Sequence, residues 1–322
     1  MNRPVRLFLL ALLVMVLFGA SLMSGKVAVP LSAWASSDPR WWIILELRVP
    51  RAVLATMLGA SLGLSGAVLQ GYLRNPLADP AVVGVSSAAA LGAVAAIVLG
   101  AGAQPIVFAA AMAGAAGSMA LLAALTWAST GAVAFVLAGT VLASLAGALT
   151  AFLISIAPDP YAVAAVVDWL MGALTDRGWE DVRLAAGPML LGCALLLLTA
   201  PALDALALGE PAARTLGVRP GRLRMLIVLG VGLAVGAGVA ATGVVGFVGL
   251  VVPHLLRPVF GHRPAALLLP SALGGAALLL AADSLVRLAP GASEVRLGVA
   301  MALIGAPFFL VLLMRERGRA WI

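Results

Sequence analysis

Charge is what this chain has least of: 10% of its 322 residues are Asp, Glu, Lys or Arg, where a soluble domain carries roughly 25%. Lysine is nearly absent, Lys26 being the only one among 20 basic residues. A Walker A phosphate loop ends in Gly-Lys-Ser/Thr, and here the only Gly-Lys pair, Gly25-Lys26, runs into Val27. ATP hydrolysis by that loop is excluded. Lys26 also has no serine three positions before it, so Ser-x-x-Lys chemistry is a poor fit. One cysteine, Cys193, allows neither an intrachain disulfide nor a thiolate metal cluster, and in its apolar stretch it reads as a small hydrophobe. The two histidines, His254 and His262, lack a neighbouring Asp/Glu/Cys set, which makes a weak metal site. No carboxylate pair lies in mid-span to carry a proton relay.

What the chain has is apolar length, with 63% of its residues hydrophobic. A helical span takes about 20 apolar residues, roughly 30 Å, so ten spans use about 200 positions and leave about 120 for loops and ends. The expectation is an all-α polytopic membrane protein with about ten transmembrane helices and a single transmembrane domain over residues 1–322. Runs bounded by charge or proline place the spans at 7–24, 52–73, 81–101, 105–128, 132–156, 184–203, 223–241, 244–259, 265–285 and 297–314. The first run, behind Arg3 and Arg6, has the look of a secretory signal, but no small-x-small cleavage site follows it and it is read as retained.

An even number of spans puts both ends on one side, and both ends are arginine-rich: Arg3 and Arg6, then Arg315, Arg317 and Arg319. The positive-inside rule makes that side cytoplasmic. Loops assigned accordingly carry 12 basic and 4 acidic residues inside, against 8 basic and 9 acidic outside. On the outside, 162–174 reads as a short helix interrupted by Asp168 and Trp169 that dips back toward the membrane. Glycines at helix-contact spacing, Gly59 with Gly63 and Gly232 with Gly236, point to close backbone approach between spans.

Several segments carry chemistry. After span two, Asn75-Pro76-Leu77-Ala78-Asp79-Pro80 is a stiff turn in which Asp79 is expected to cap span three with Pro80 at its first position. The segment 207–224 holds a very short cytoplasmic helix started by Glu210-Pro211 and closed by Gly217, with Ala212, Ala213 and Leu216 able to form one apolar face. Such a helix can dock in a partner's groove or rest on the bilayer. Arg48 and Arg51 stand on the outside against the inside bias, and Arg51 stands in a first turn where the helix dipole disfavours a cation. An external anionic partner, or pairing with Glu46 or lipid phosphate, accounts for them. Asp283 and Arg287, four apart, can pair on one helix face. Glu294 is expected to cap span ten.

Taken together, these segments resemble the FecCD-type (BtuC-like) permeases, the membrane subunits of type II ABC importers for iron-siderophores, haem and cobalamin. The resemblance rests on Arg48-Val-Pro-Arg51, on Gln70 with Asn75-Pro-Leu-Ala-Asp-Pro80 and Gly84-Val-Ser86, and on Gly209-Glu210 with Ala213-Arg214-Thr-Leu216-Gly217. It extends through Gly246-Phe-Val-Gly249-Leu-Val-Val-Pro253-His254-Leu-Leu-Arg257, Asp283 with Arg287, and Gly305-Ala-Pro307-Phe-Phe. It implies two permease subunits, identical or related, around a central path in the inner membrane. Two ATPase subunits inside would hold ATP and magnesium, a soluble binding protein would sit outside, and this chain would carry no cofactor or metal of its own. It also implies that Arg48, Arg51 and Arg287 receive acidic residues of the binding protein. Gly209, Glu210, Ala213, Arg214, Leu216 and Gly217 belong to the loop that fits the ATPase; Asn75 and Leu77, with Gly84, Ser86 and Ser87, belong to the inner gate and path. Two departures stand out: Arg296 occupies a position where the family usually has proline, and Ser87 with Ala88 to Ala90 replaces a glycine-containing run. The rival from another class is a gradient-driven secondary transporter that needs no ATPase.

Overall fold

The structure is a computed structural model, and it describes residues 2–35, 38–127, 132–289 and 294–317. Arg319 and Ser293 lie outside the described residues, and the side chains of Arg315 and Arg317 are not described. The described residues form thirteen α-helices: α1 (Arg3–Met23), α2 (Val49–Leu73), α3 (Val85–Val98), α4 (Gln104–Leu125), α5 (Ala132–Ser155), α6 (Pro160–Leu170), α7 (Trp179–Leu197), α8 (Ala200–Leu206), α9 (Glu210–Thr215), α10 (Pro220–Thr242), α11 (Val248–Phe260), α12 (Pro264–Leu288) and α13 (Leu297–Arg317). Six of them, α1, α2, α4, α5, α10 and α12, are long and apolar enough to cross a membrane, and α7 with α8 makes a seventh bent by 41°. The shorter apolar α3 and α11, and the apolar stretch Leu297–Leu312 of α13, stand where the remaining three runs were expected.

The departures from ten uniform spans have local causes. Pro201, in the first turn of α8, lacks an N–H and its ring crowds the carbonyl four residues back, so the chain bends between Leu197 and Ala200. A π-helical turn, Ile43–Arg48, runs directly into α2 and lengthens that span to Ile43–Leu73. Asp79 caps a 3-10 turn, Pro80–Val83, by accepting the Ala81 N–H at 2.9 Å, instead of capping α3 itself. Gly84, at φ +84°, then reorients the chain, and α3 begins only at Val85. The outer segment expected as one helix over 162–174 stops at Leu170; Gly172 turns back at φ +66°, and Leu174 is buried in non-helical chain.

Helix α2 runs through the middle, with most of its residues buried. Its glycines make that possible. A Cβ on Gly59 would strike the carbonyl of Gly275 in α12, one on Gly63 the carbonyl of Ser271, and one on Gly66 the carbonyl of Gly249 in α11. Gly232 and Gly236 let α10 approach the side chains of Met119 and Ala115 in α4. In a bilayer, where lipid tails are as apolar as leucine, such close approach and its dispersion energy hold helices together. The outer faces of α5 and α13 remain apolar and exposed, with Leu137, Val141, Leu145, Leu303 and Leu310 among them.

Direction follows from the contacts. Arg3 donates to the Ala266 carbonyl and Arg6 to that of Val259, so α1 starts beside the start of α12. Ser21 and Ser24 at its far end meet Arg287 at the far end of α12. The bundle thus has an arginine end, with Arg48, Arg51 and Arg287, and an opposite end, with Asn75 and α9. Helix α13 leaves the arginine end at Leu297, where the Gly298 N–H bonds the Gly172 carbonyl at 3.0 Å, and returns toward the Asn75 end.

Candidate functional site: the two polar ends of the bundle

At the arginine end, the three arginines expected on the surface are drawn inward. Arg51 holds Asp283 with two nitrogens, Nε to Oδ1 at 3.0 Å and Nη2 to Oδ1 at 2.8 Å, and reaches Glu294 Oε2 at 2.8 Å through Nη2. Its partners are therefore Asp283 and Glu294, not Glu46. Asp283 is 0% exposed and also pairs with Arg287 at 3.0 Å, the i,i+4 pair expected from the spacing. Arg287 continues to the Ser24 carbonyl at 3.1 Å and to the Ser21 hydroxyl. Arg48, 5% exposed, donates to the carbonyls of Leu22 and Met23 in the last turn of α1 and to that of Val27 beyond it. The two helix-end carbonyls have no intrahelical partner of their own, and the buried guanidinium satisfies them.

Glu294 does not cap α13. It accepts from Arg51 and, at 3.1 Å, from Thr175, which joins α2, the chain after α6 and the start of α13. Burial pushes its carboxyl up, but the Arg51 hydrogen bond and charge, together with Thr175, outweigh that and hold it below the ordinary glutamate range. A depressed carboxylate pKa contributes stability that is fully present above the unfolded value and is lost as pH falls through the folded one. The thermal midpoint of the wild type in detergent is expected to exceed that of Glu294→Gln at pH 7. The gap should close below about pH 4.3, the unperturbed value; a gap independent of pH would contradict the ion pair. Arg296, the departure from proline, pairs with Asp168 of α6, so an ion pair anchors this turn.

Above these pairs lies a cavity of about 250 Å³. Lys26, Arg48, Arg51, Arg177 and Arg287 line it against only two carboxylates, Asp176 and Glu294, so its mouth is basic even with the internal pairs made. From sequence, Lys26 was read only as the lone lysine without a phosphate loop and Arg177 was not singled out, since neither sits in a patterned docking motif. Exposed Lys26 and half-buried Arg177 are nonetheless the cations nearest to solvent here.

At the opposite end, α9 begins with Glu210 and ends at Thr215, and Gly217 follows at φ +85° with its N–H on the Arg214 carbonyl at 3.0 Å. The single apolar face expected for this helix does not form. Ala213 is buried against the bundle, whereas Leu216 is 63% exposed and points away. Arg224 is also drawn in, to the Thr126 carbonyl and the Tyr72 hydroxyl, leaving Arg214, Arg219 and Arg222 as the exposed cations of 207–224. A groove of about 770 Å³ between α8 and the start of α10 is floored by Ala202, Ala205 and Leu223 and edged by Arg219, Arg222 and Leu216.

The turn next to it is held rigidly. Asn75 Oδ1 accepts the Leu77 N–H at 2.9 Å, and the Ala78 N–H bonds the Asn75 carbonyl at 3.2 Å. Gln70 donates to the carbonyls of Ala78 at 3.3 Å and Gly249 at 3.1 Å, while its own oxygen accepts from Arg257 at 2.6 Å. Burial pushes the Asp79 carboxyl up, and the N–H groups of Ala81 and Leu250 offset part of that. Asn75 is exposed and Leu77 and Ser87 are half-buried. Gly84 and Ser86 are buried, Gly84 against the backbone of Gly139 and Ala143 in α5. In the single chain these two are packed against neighbouring helices.

A helical bundle with small-residue packing, apolar outer faces, a basic cavity at one end and a charged groove at the other defines a polytopic membrane protein of the transport-permease class. The chain belongs to the FecCD transport family, whose model matches residues 10–315. It is 37% identical over 317 residues to the hemin transport system permease of Yersinia pestis, covering 96% of this chain and 95% of that protein. It is 36% identical to the ferric dicitrate permease of Escherichia coli K12, covering 97% and 100%, and 43% identical to a cobalamin import permease of Halobacterium salinarum, covering 86% and 75%. A solved inward-facing structure of a putative metal-chelate type ABC transporter superposes with a TM-score of 0.89 at 34% identity, covering 97% of this chain and 99% of that one.

Proposed function

We propose that this chain is the membrane permease of a binding-protein-dependent ABC importer for a bulky metal chelate. Haem or an iron-siderophore is the first expectation and cobalamin the next. The observation that carries the reading is the pairing of a basic cavity at one end with an arginine-edged groove at the other, on a chain without a phosphate loop. The basic cavity would face the outer side and receive acidic side chains of a soluble binding protein. Arg48, Arg51 and Arg287 would set its potential from beneath while Lys26 and Arg177 meet the partner first. The segment 207–224 would seat Glu210 to Gly217 in a cytoplasmic ATPase, which holds ATP and magnesium. Asn75 and Leu77 would gate the path formed with a second permease subunit. Both chain ends would then be cytoplasmic, α6 would lie against the outer membrane face, and no cofactor would be held by this chain.

Liposomes carrying this chain with its ATPase and binding protein are expected to take up haemin or a ferric siderophore only with ATP inside. The chain alone should take up none; uptake by the chain alone down an ion gradient would establish the secondary-transporter reading. Charge reversal is best aimed at Lys26 and Arg177, because reversing Arg51 or Arg287 would break the short pairs to fully buried Asp283, whereas Arg177 holds a 3.5 Å pair to Asp181, which Gln104 and the Gly178 N–H also satisfy. Lys26→Glu with Arg177→Glu is expected to weaken binding-protein affinity by about tenfold or more, about 1.4 kcal/mol, and to flatten its salt dependence. Unchanged affinity and salt dependence would remove this surface from the docking site.

A further inference from the structure

Phe247 belongs to neither polar end. It is the N-cap of α11 and sits at φ +66°, a left-handed conformation that a bulky side chain rarely adopts. Such strain persists only where the surroundings over-determine it, and it concentrates at switching and functional positions. Two different elements hold this residue and the turn it begins.

Its side chain belongs to α13. A Cβ added to Gly305 would run into the Cβ and Cγ of Phe247, so the ring fills a notch that only glycine leaves open. The backbone just after it belongs to the turn at Asn75. Gln70 joins the carbonyls of Gly249 and Ala78, and the Leu250 N–H lies on the Asp79 carboxylate. A Cβ on Gly249 would stand 2.8 Å from Cδ of Pro80. The first turn of α11 is therefore shared between α13 and the 75–80 loop.

Helix α13 is built to bend at the same place. Pro307 lies inside it, two residues after Gly305, and supplies no N–H to the carbonyl of Leu303. Leu303 and Ile304 are exposed, so few contacts brace that stretch from outside. The start of α13 is fastened at the arginine end, by Glu294 on Arg51 and by Gly298 on Gly172.

We infer that Phe247 is a positioning residue of the transport cycle: seated in the Gly305 notch, it transmits movement of α13 through the first turn of α11 to the Asn75–Pro80 loop. This rests on the permease reading above. Loss of the notch contact leaves the loop pinned to α11 but no longer driven by α13, so ATP hydrolysis continues while uptake falls.

The test uses Phe247→Cys with Gly305→Cys in a Cys193→Ala background, where these become the only thiols in the chain. The two Cβ positions are near enough to adjust to the roughly 3.8 Å of a disulfide. In liposomes with the ATPase and binding protein, the reduced pair, which lacks the ring, is expected to take up haemin or a ferric siderophore about tenfold more slowly than the Cys193→Ala parent, and oxidation, which rejoins α13 to α11, is expected to raise uptake again. ATP hydrolysis should persist in both states, and a reductant should lower uptake once more. Reduced protein transporting at the parent's rate, or cross-linked protein no faster than reduced, would overturn the inference, while absence of uptake by the parent chain would instead overturn the permease reading. A second pair separates positioning from mere packing. Gly305→Ala is expected to block folding or uptake by its clash with the Cβ and Cγ of Phe247, and adding Phe247→Gly, which removes both and suits the positive φ, should restore the thermal midpoint but not the uptake. Recovery of both would reduce the contact to packing.

Discussion

Asp283→Ala is expected to lower the stability of the folded bundle by about 3–5 kcal/mol, the cost of stripping the partner from a buried ion pair. Asp283 is 0% exposed and is the carboxylate shared by Arg51 and Arg287. Its removal leaves two guanidinium groups near one another with only Glu294, itself 20% exposed at the side chain, to balance them. Desolvating a charge without a partner costs far more than losing an exposed pair, which is worth roughly 0–1 kcal/mol. The measurement is the thermal midpoint and the yield of monodisperse protein in mild detergent. Asp283→Asn, which keeps an oxygen for Arg51 but loses the charge, should fall between alanine and wild type. Asp38→Ala at the exposed Arg40 pair should be near neutral, although Arg40 holds the Asp38 carboxyl down at about 2. Equal effects from Asp283 and Asp38 would mean that burial of the arginine cluster does not govern its energetics.

Gly59→Val is expected to be the most disruptive single change away from charge. The crossing of α2 over α12 brings backbone against backbone: the Cβ of any residue at 59 meets the carbonyl carbon and oxygen of Gly275, and that of residue 275 meets the Gly59 carbonyl in return. No side chain can rotate away to make room. Overpacking typically costs about 1–3 kcal/mol where side chains can yield, and here a backbone must move, so the upper part of that range is the minimum expected. Gly147→Val serves as the control, since a Cβ there meets nothing within 4 Å. Helix separation in Gly59→Val should appear as faster proteolysis and earlier thermal unfolding, with Gly147→Val close to wild type. Equal tolerance at both positions would contradict the close crossing.

What could be read along the chain follows the reach of local interactions. The apolar runs, the prolines at helix starts and the capping aspartate act within about four residues, so α1, α4, α5, α10 and α12 and the capping role of Asp79 were legible. The pair Asp283–Arg287 was legible for the same reason. Arg51 and Asp283 are 232 residues apart, and no local rule could say that Arg51 would choose Asp283 over Glu46. Arg224 stands in the chain beside Arg219 and Arg222, both of which are exposed. Only the seating of α10 against the end of α4 takes it to the Thr126 carbonyl. Leu216 and Ala213, three apart, read as one apolar face because both are apolar, yet the seating of α9 against Tyr72 and Leu206 buries Ala213 alone.

Composition by itself determined that the chain is a helical polytopic membrane protein with about ten apolar runs and that it carries no Walker A phosphate loop. Tertiary structure alone decided which of the few charges face a partner and which neutralise one another, and that a phenylalanine would stand in a left-handed turn against a glycine in α13. The reason is physical. Membrane insertion and helix formation are set by composition and near neighbours, whereas the cost of a buried charge or a strained turn is offset only by groups that distant parts of the chain bring into contact.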